Sequence, residues 1–137
     1  MPTNYTTPLL IIIVSFFQEA IPVLERLTAA SVRNARALQM LAQSYFETKR
    51  YPQAADASLK LLTLKPESPE GYWTLGFAYY EQKDWNRASR AFLRYVNLKP
   101  GQAIPEFVLA TCLDQLGNAQ EAIVHYNKFI ELDDHSS

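Results

Sequence analysis

Few side chains in this sequence could carry out chemistry. The histidines are His125 and His135, and Cys112 is the only cysteine. Glu121 stands one helical turn before His125, a spacing that puts both side chains on one helix face. Such a pair could touch a metal, but structural zinc sites take four ligands and catalytic ones three, so it is expected to be a solvent-facing polar pair. Cys112 has no histidine near it in sequence, and a thiol nucleophile needs a base. It falls among small residues and is expected to act as a small buried hydrophobe. A lone cysteine makes no internal disulfide. The four glycines are spread singly, so no glycine-rich loop is available to cradle a phosphate. The expectation is therefore no enzyme: no catalytic residue, no metal ligand set and no cofactor.

The residues whose type and spacing do suggest an activity are aromatic. Trp73, Phe77 and Tyr80 recur at i, i+4 and i+7, one face of a helix. Beside them runs a second stripe, Tyr72, Leu75, Gly76 and Tyr79. One helix hairpin cannot easily bury both, and aromatic side chains left at a surface are the usual anchors of protein binding.

These stripes belong to a repeat. Written in rows of 34 residues starting at Ala35, Pro69 and Ala103, the chain aligns without a gap. Ala42, Gly76 and Ala110 share a column, as do Ala54, Ala88 and Ala122, and Tyr45, Tyr79 and Leu113. The spacing divides the chain into residues 1–34, 35–68, 69–102 and 103–136. Each full row reads as two helices. Ser68 caps a helix that Pro69 opens, Asp84 caps the next, and Pro100-Gly101 ends it. Pro52 opens the second helix of row one; Gly117 closes the first helix of row three, before a capping-box-like Asn118 and Glu121. The small columns allow the two helices of a hairpin to approach closely. Ala20, Leu24 and Leu27 lie two periods before Ala88, Phe92 and Tyr95, so Phe16 to about Ala30 reads as the second helix of a degenerate repeat, with Pro22 tolerable only in its first turn. Met1 to Ser15 do not follow the pattern.

Tyr72-x-x-Leu75-Gly76-x-x-Tyr79, then Ala88-x-x-x-Phe92, then Pro100 closely resembles the tetratricopeptide repeat. The usual tryptophan is replaced by Tyr72, with Trp73 one place later. The resemblance covers Ala35 to about Asp134. It implies an all-α fold, an α-solenoid of antiparallel helix hairpins in a right-handed superhelix, whose first helices line a concave wall. The aromatic stripe and its counterparts one period away then form a ligand groove of Gln39, Gln43, Phe46, Trp73, Phe77, Tyr80, Phe107 and Thr111. Arg36, Glu47, Glu70, Glu81 and Asp114 lie near its margins, so its rim leans acidic. The implied function is a protein–protein interaction module, an adaptor or scaffold taking an apolar peptide or helix that carries some basic residues. Family members that clamp a C-terminal carboxylate use lysine, arginine and asparagine on these helices. Here Gln39, Gln43, Thr74, Ile104 and Val108 stand there instead, so such tails are not expected as ligands. The alternatives are a secretion-type chaperone for a hydrophobic partner, which three tandem repeats also resemble, and a self-assembling scaffold. For the last, Ile123, Tyr126 and Ile130 form an apolar stripe near the chain end, making a homo-oligomer the second expectation.

Bulk properties bound these readings. Hydrophobic residues make up 48% of 137, enough for a folded core, and the net charge of -1 offers no basic face for nucleic acid. Leu9 to Phe17 is almost wholly apolar but shorter than the ~20 residues that span a bilayer. No Lys or Arg precedes it, as a signal peptide would have. The run is expected to be a buried or partner-covered helix, without membrane insertion, in a cytoplasmic protein.

Overall fold

A computed structural model describes residues 6–136; Met1–Tyr5 of the N-terminal segment and Ser137 lie outside the described residues. The described residues form seven α-helices and no strand: α1 (Thr6–Ala30), α2 (Ala35–Glu47), α3 (Tyr51–Leu64), α4 (Pro69–Glu81), α5 (Trp85–Leu98), α6 (Ala103–Gln115) and α7 (Ala119–Ser136). The fold is the expected all-α stack of hairpins. Helices α2 and α3, α4 and α5, and α6 and α7 pair within rows, and each row packs on the next through α3–α4 and α5–α6.

Local chemistry sets the boundaries. The Asn34, Ser68 and Asp84 side chains accept from the backbone N–H three residues on, at 3.0, 3.1 and 3.2 Å, satisfying donors that a helix start leaves orphaned. Proline stands in the first turn of α3 and α4, where its missing N–H costs nothing. The turn inside each hairpin needs one left-handed residue. Lys49, Lys83 and Gly117 take φ of 63°, 60° and 80° at the same repeat position. Only the third row uses glycine there, although the position strains any side chain.

The small columns are buried as expected: Ala42, Ala54, Ala88, Ala110 and Ala122 are all at most 2% exposed. One contact differs from expectation. A Cβ on Gly76 would meet Phe92 first, with ring carbons at 2.7, 2.9 and 2.9 Å, rather than Ala88. The glycine makes room for a fully buried aromatic ring, itself held by Phe77.

Helix α1 corrects the reading of the N-terminal segment. It starts ten residues before Phe16, and Pro22 lies well inside it instead of in its first turn. The helix continues because Pro22 is on the solvent side, as is Gln18, whose carbonyl loses its i+4 donor and can turn to water. Ile21 and Leu24 carry the packing on α2, while Leu27 stays about half exposed. The nine-residue apolar run is thus part of a 25-residue helix, and Thr7–Ala30 is long and apolar enough to cross a membrane by length and composition. Only Ile21 and Leu24 of that stretch are buried in the fold.

Candidate functional site

The aromatic residues of the repeats meet in a ladder of rings. Phe46 of α2 reaches across the repeat boundary to Phe77 of α4 at 6.3 Å between centroids, and contacts Tyr51 at 5.4 Å. Phe77 touches Trp73 at 4.8 Å and Tyr80 at 6.0 Å; Tyr80 continues to Trp85 at 5.2 Å. Trp73 leans on Tyr95 at 4.8 Å and on Phe92 at 6.1 Å. Most of these pairs are edge-to-face, the geometry that the ring quadrupole favours. Helical periodicity puts Trp73, Phe77 and Tyr80 on one side of α4, and the 34-residue period places Phe46 alongside.

Each ladder residue on α2 and α4 is half-buried. One side of the stripe packs on α5 and its neighbours, and the other keeps access to solvent. The two stripes of α4 are therefore neither both core nor both surface. Gln39 and Gln43 are exposed. Gln39 also lines a cavity of about 570 Å³ with Lys65, Pro66, Glu67, Ser68 and Glu70. The third-row residues stand apart from the ladder: Phe107 packs within its own hairpin on Tyr126 and Phe129, at 5.7 and 5.1 Å, and the Thr111 hydroxyl donates to the Phe107 carbonyl at 3.0 Å. Of the proposed self-association stripe, Ile123 and Ile130 are about half exposed, while Tyr126 is half-buried against the row-three core.

A larger cavity, about 1190 Å³, opens on another face of α2, between α1 and α3. Leu38, Leu41 and Tyr45 form its floor; Glu25, Arg33, Asp56 and Lys60 are among its walls. The Tyr45 hydroxyl donates to Glu25 Oε2 at 2.5 Å, tying α2 to α1. Desolvation, and next that hydrogen bond, push the phenol up to about 12. Sequence reading missed this space, although one column explains it. Leu38, Tyr72 and Glu106 are spaced by 34. In row two Tyr72 stacks under the Arg94 guanidinium, 5.3 Å from its ring, and its hydroxyl donates to the Pro66 carbonyl at 2.8 Å. In row one the shorter Leu38 leaves the space open.

The third member of that column corrects the reading of His125. Its partner is not Glu121 on the same helix but Glu106 on α6, with Nδ1 2.6 Å from Oε2 and both side chains largely buried (12% and 7% exposed). The pair crosses the last hairpin. The sequence signal was a glutamate in a column otherwise held by Leu38 and Tyr72, opposite a histidine where Ala91 and Ala57 stand one and two periods earlier. Cys112 is fully buried, and burial pushes its thiol up to about 12, which keeps it un-ionised and unreactive at neutral pH. Among the described residues no group of three or more His, Cys, Asp or Glu is placed to hold a metal ion.

Comparison with known proteins agrees with this architecture. The tetratricopeptide repeat matches three segments, residues 14–69, 70–101 and 107–135. No curated protein matches the sequence. Among solved structures, MamA MSR-1 superposes with a TM-score of 0.81 at 23% identity, over 92% of this chain and 72% of that one. Another MamA crystal structure gives 0.83 at 20% identity, over 91% and 73%. MamA 41-end from Desulfovibrio magneticus RS-1 gives 0.80 at 19% identity, over 88% and 68%. At these identities the likeness is one of fold.

Proposed function

The chain belongs to the tetratricopeptide repeat family, and from that premise we propose that this protein-interaction module binds an apolar peptide or helix along the ring ladder of α2 and α4. The observation that carries the reading is the half-buried state of Phe46, Trp73, Phe77 and Tyr80. A ligand could cover their solvent side without disturbing the packed side. Such rigid aromatic surface binds at little entropic cost, because the rings are already held by one another. Gln39 and Gln43 would supply hydrogen bonds at one end. Glu47 and Glu81, at the ends of α2 and α4, favour basic residues flanking the apolar segment.

The test is a peptide library panned on the intact protein, with binding read from Trp73 and Trp85 fluorescence. Selected peptides are expected to be apolar with flanking lysine or arginine. Phe77→Ala should weaken them at least tenfold, which corresponds to ~1.4 kcal/mol. Thermal melts must accompany the titration, since Phe77 also packs on Phe92. Selected peptides that bind the parent and a still-folded Phe77→Ala variant equally would place the groove elsewhere. A second reading, self-association through α7, rests on the exposure of Ile123, Val124 and Ile130. Sedimentation of the parent beside Ile123→Lys/Ile130→Lys tests it, and a parent that stays monomeric at high concentration would dismiss it.

A further inference from the structure

We propose that the N-terminal half of α1 is a membrane-embedded segment, whose environment is the hydrocarbon interior of a lipid bilayer. Thr7 through Ile13 are seven consecutive exposed residues, nearly two helical turns, so every side of the helix faces outward. Among them Leu9, Leu10, Ile11, Ile12 and Ile13 are 59, 58, 61, 63 and 46% exposed, and Phe16 follows at 60%. No charged side chain occurs before Glu19. A helix that is apolar all round needs an apolar surrounding on all sides: a protein core or a membrane. No such core surrounds it among the described residues.

The two halves of α1 differ in kind. From Val14 on the helix becomes one-sided: Val14 and Phe17 are half-buried, Ile21 and Leu24 are buried against α2, and Val23 is exposed. The change of pattern marks where one surrounding ends and the repeat stack begins. A groove on a second copy of this chain suits the rod less well, because a groove covers one side. The cavity of about 1190 Å³ is moreover bordered by Glu25, Arg33, Asp56 and Lys60, which an uncharged rod would desolvate without pairing.

Length sets the mode of insertion. The described part from Thr6 to Phe17 is about 18 Å long at ~1.5 Å per residue, against a hydrocarbon core of ~30 Å. While Ile21 and Leu24 stay in the repeat core, this described part enters the bilayer and by itself is too short to cross it. Crossing with the whole Thr7–Ala30 window would pull both residues out of that core and carry Glu19, Glu25 and Arg26 into lipid. The repeats are therefore held against the membrane surface by a continuous helix, with no flexible linker between.

The experiment is flotation of the full chain with neutral phosphatidylcholine vesicles on a density gradient, which removes any electrostatic attraction to headgroups. The parent is expected to rise with the vesicles. Ile12→Lys should reduce the floated fraction at least tenfold with unchanged circular dichroism and melting, because Ile12 makes little contact within the fold. Ile12→Trp should add emission that brominated acyl chains quench, beyond any quenching of the parent. The proposal is overturned if the folded parent stays at the bottom, or if it floats and Ile12→Lys floats equally. It is overturned as well if lipid-free sedimentation shows a dimer that Ile12→Lys dissolves, which would assign the rod to a second copy. Recovery from cells of a chain whose mass lacks the residues before Gln18 would make the segment a cleaved leader and likewise end the proposal.

Discussion

Replacing Gly76 by alanine would place a methyl group 2.7–2.9 Å from three carbons of the Phe92 ring. Alanine improves helix propensity over glycine by ~1 kcal/mol, so a surface site would gain. Here the ring is fully buried and hemmed in by Trp73 and Phe77, so it cannot swing aside without moving the ladder. Overpacking of this kind costs ~1–3 kcal/mol, and three contacts this close put Gly76 near the upper end. The net loss is then about 2 kcal/mol, a fall in melting temperature of roughly 8 °C for a chain of this size. Gly71 provides the control on the same helix. Its added Cβ would also meet a neighbour, a δ-methyl of Leu62 at 2.7 Å with that residue's Cγ at 3.0 Å, but Leu62 is only half-buried and its whole side chain can change rotamer. Gly71→Ala should melt within a few degrees of the parent or above it. Thermal melts followed by circular dichroism read both variants. A Gly76→Ala/Phe92→Leu double variant should show a favourable coupling, the smaller side chain relieving part of the strain. If Gly76→Ala melts at or above Gly71→Ala, the account of the close approach is wrong.

Four further substitutions each rest on a single observation. Lys83→Gly should raise stability by up to ~1 kcal/mol by relieving the left-handed backbone, and Gly117→Ala should lower it by ~1 kcal/mol through backbone strain alone, since nothing lies within 4 Å of the added Cβ; denaturant titration measures both. Ser58 is fully buried with its hydroxyl unpaired, so Ser58→Ala should be stabilising by ~1 kcal/mol, checked in the same assay. Burial and the Glu25 hydrogen bond hold the Tyr45 phenol neutral up to about 12, so its contribution to stability is complete below pH 10 and lost between pH 10 and 12. Tyr45→Phe should flatten that part of the alkaline denaturation curve, and an unchanged slope would contradict the assignment.

The features legible in the sequence were those that depend on neighbours along the chain. Ser68 and Asp84 announce helix starts because a cap acts within three residues, and Gly117 announces a turn because left-handed backbone is a local property. The 34-residue period adds one long-range fact, that equivalent residues stack, and it was enough to bring Phe46 beside the aromatic stripe of the next row. What sequence could not decide is which atoms meet when two helices cross. Gly76 opposes Phe92 rather than Ala88, His125 turns across the hairpin to Glu106 instead of along its own helix to Glu121, and Trp73 divides its ring between Tyr95 and solvent. Each outcome turns on the rotation and separation of two helices to within about an ångström, which many side chains determine together. The same holds for α1. Its apolar run was plain to read, but that it continues through Pro22 into the repeat core, burying Ile21 and Leu24 while Leu9 to Phe16 stay largely uncovered, is a consequence of packing against α2. Periodicity and caps are properties of a segment, whereas burial is a property of the assembled helices, and only the tertiary structure assigns it.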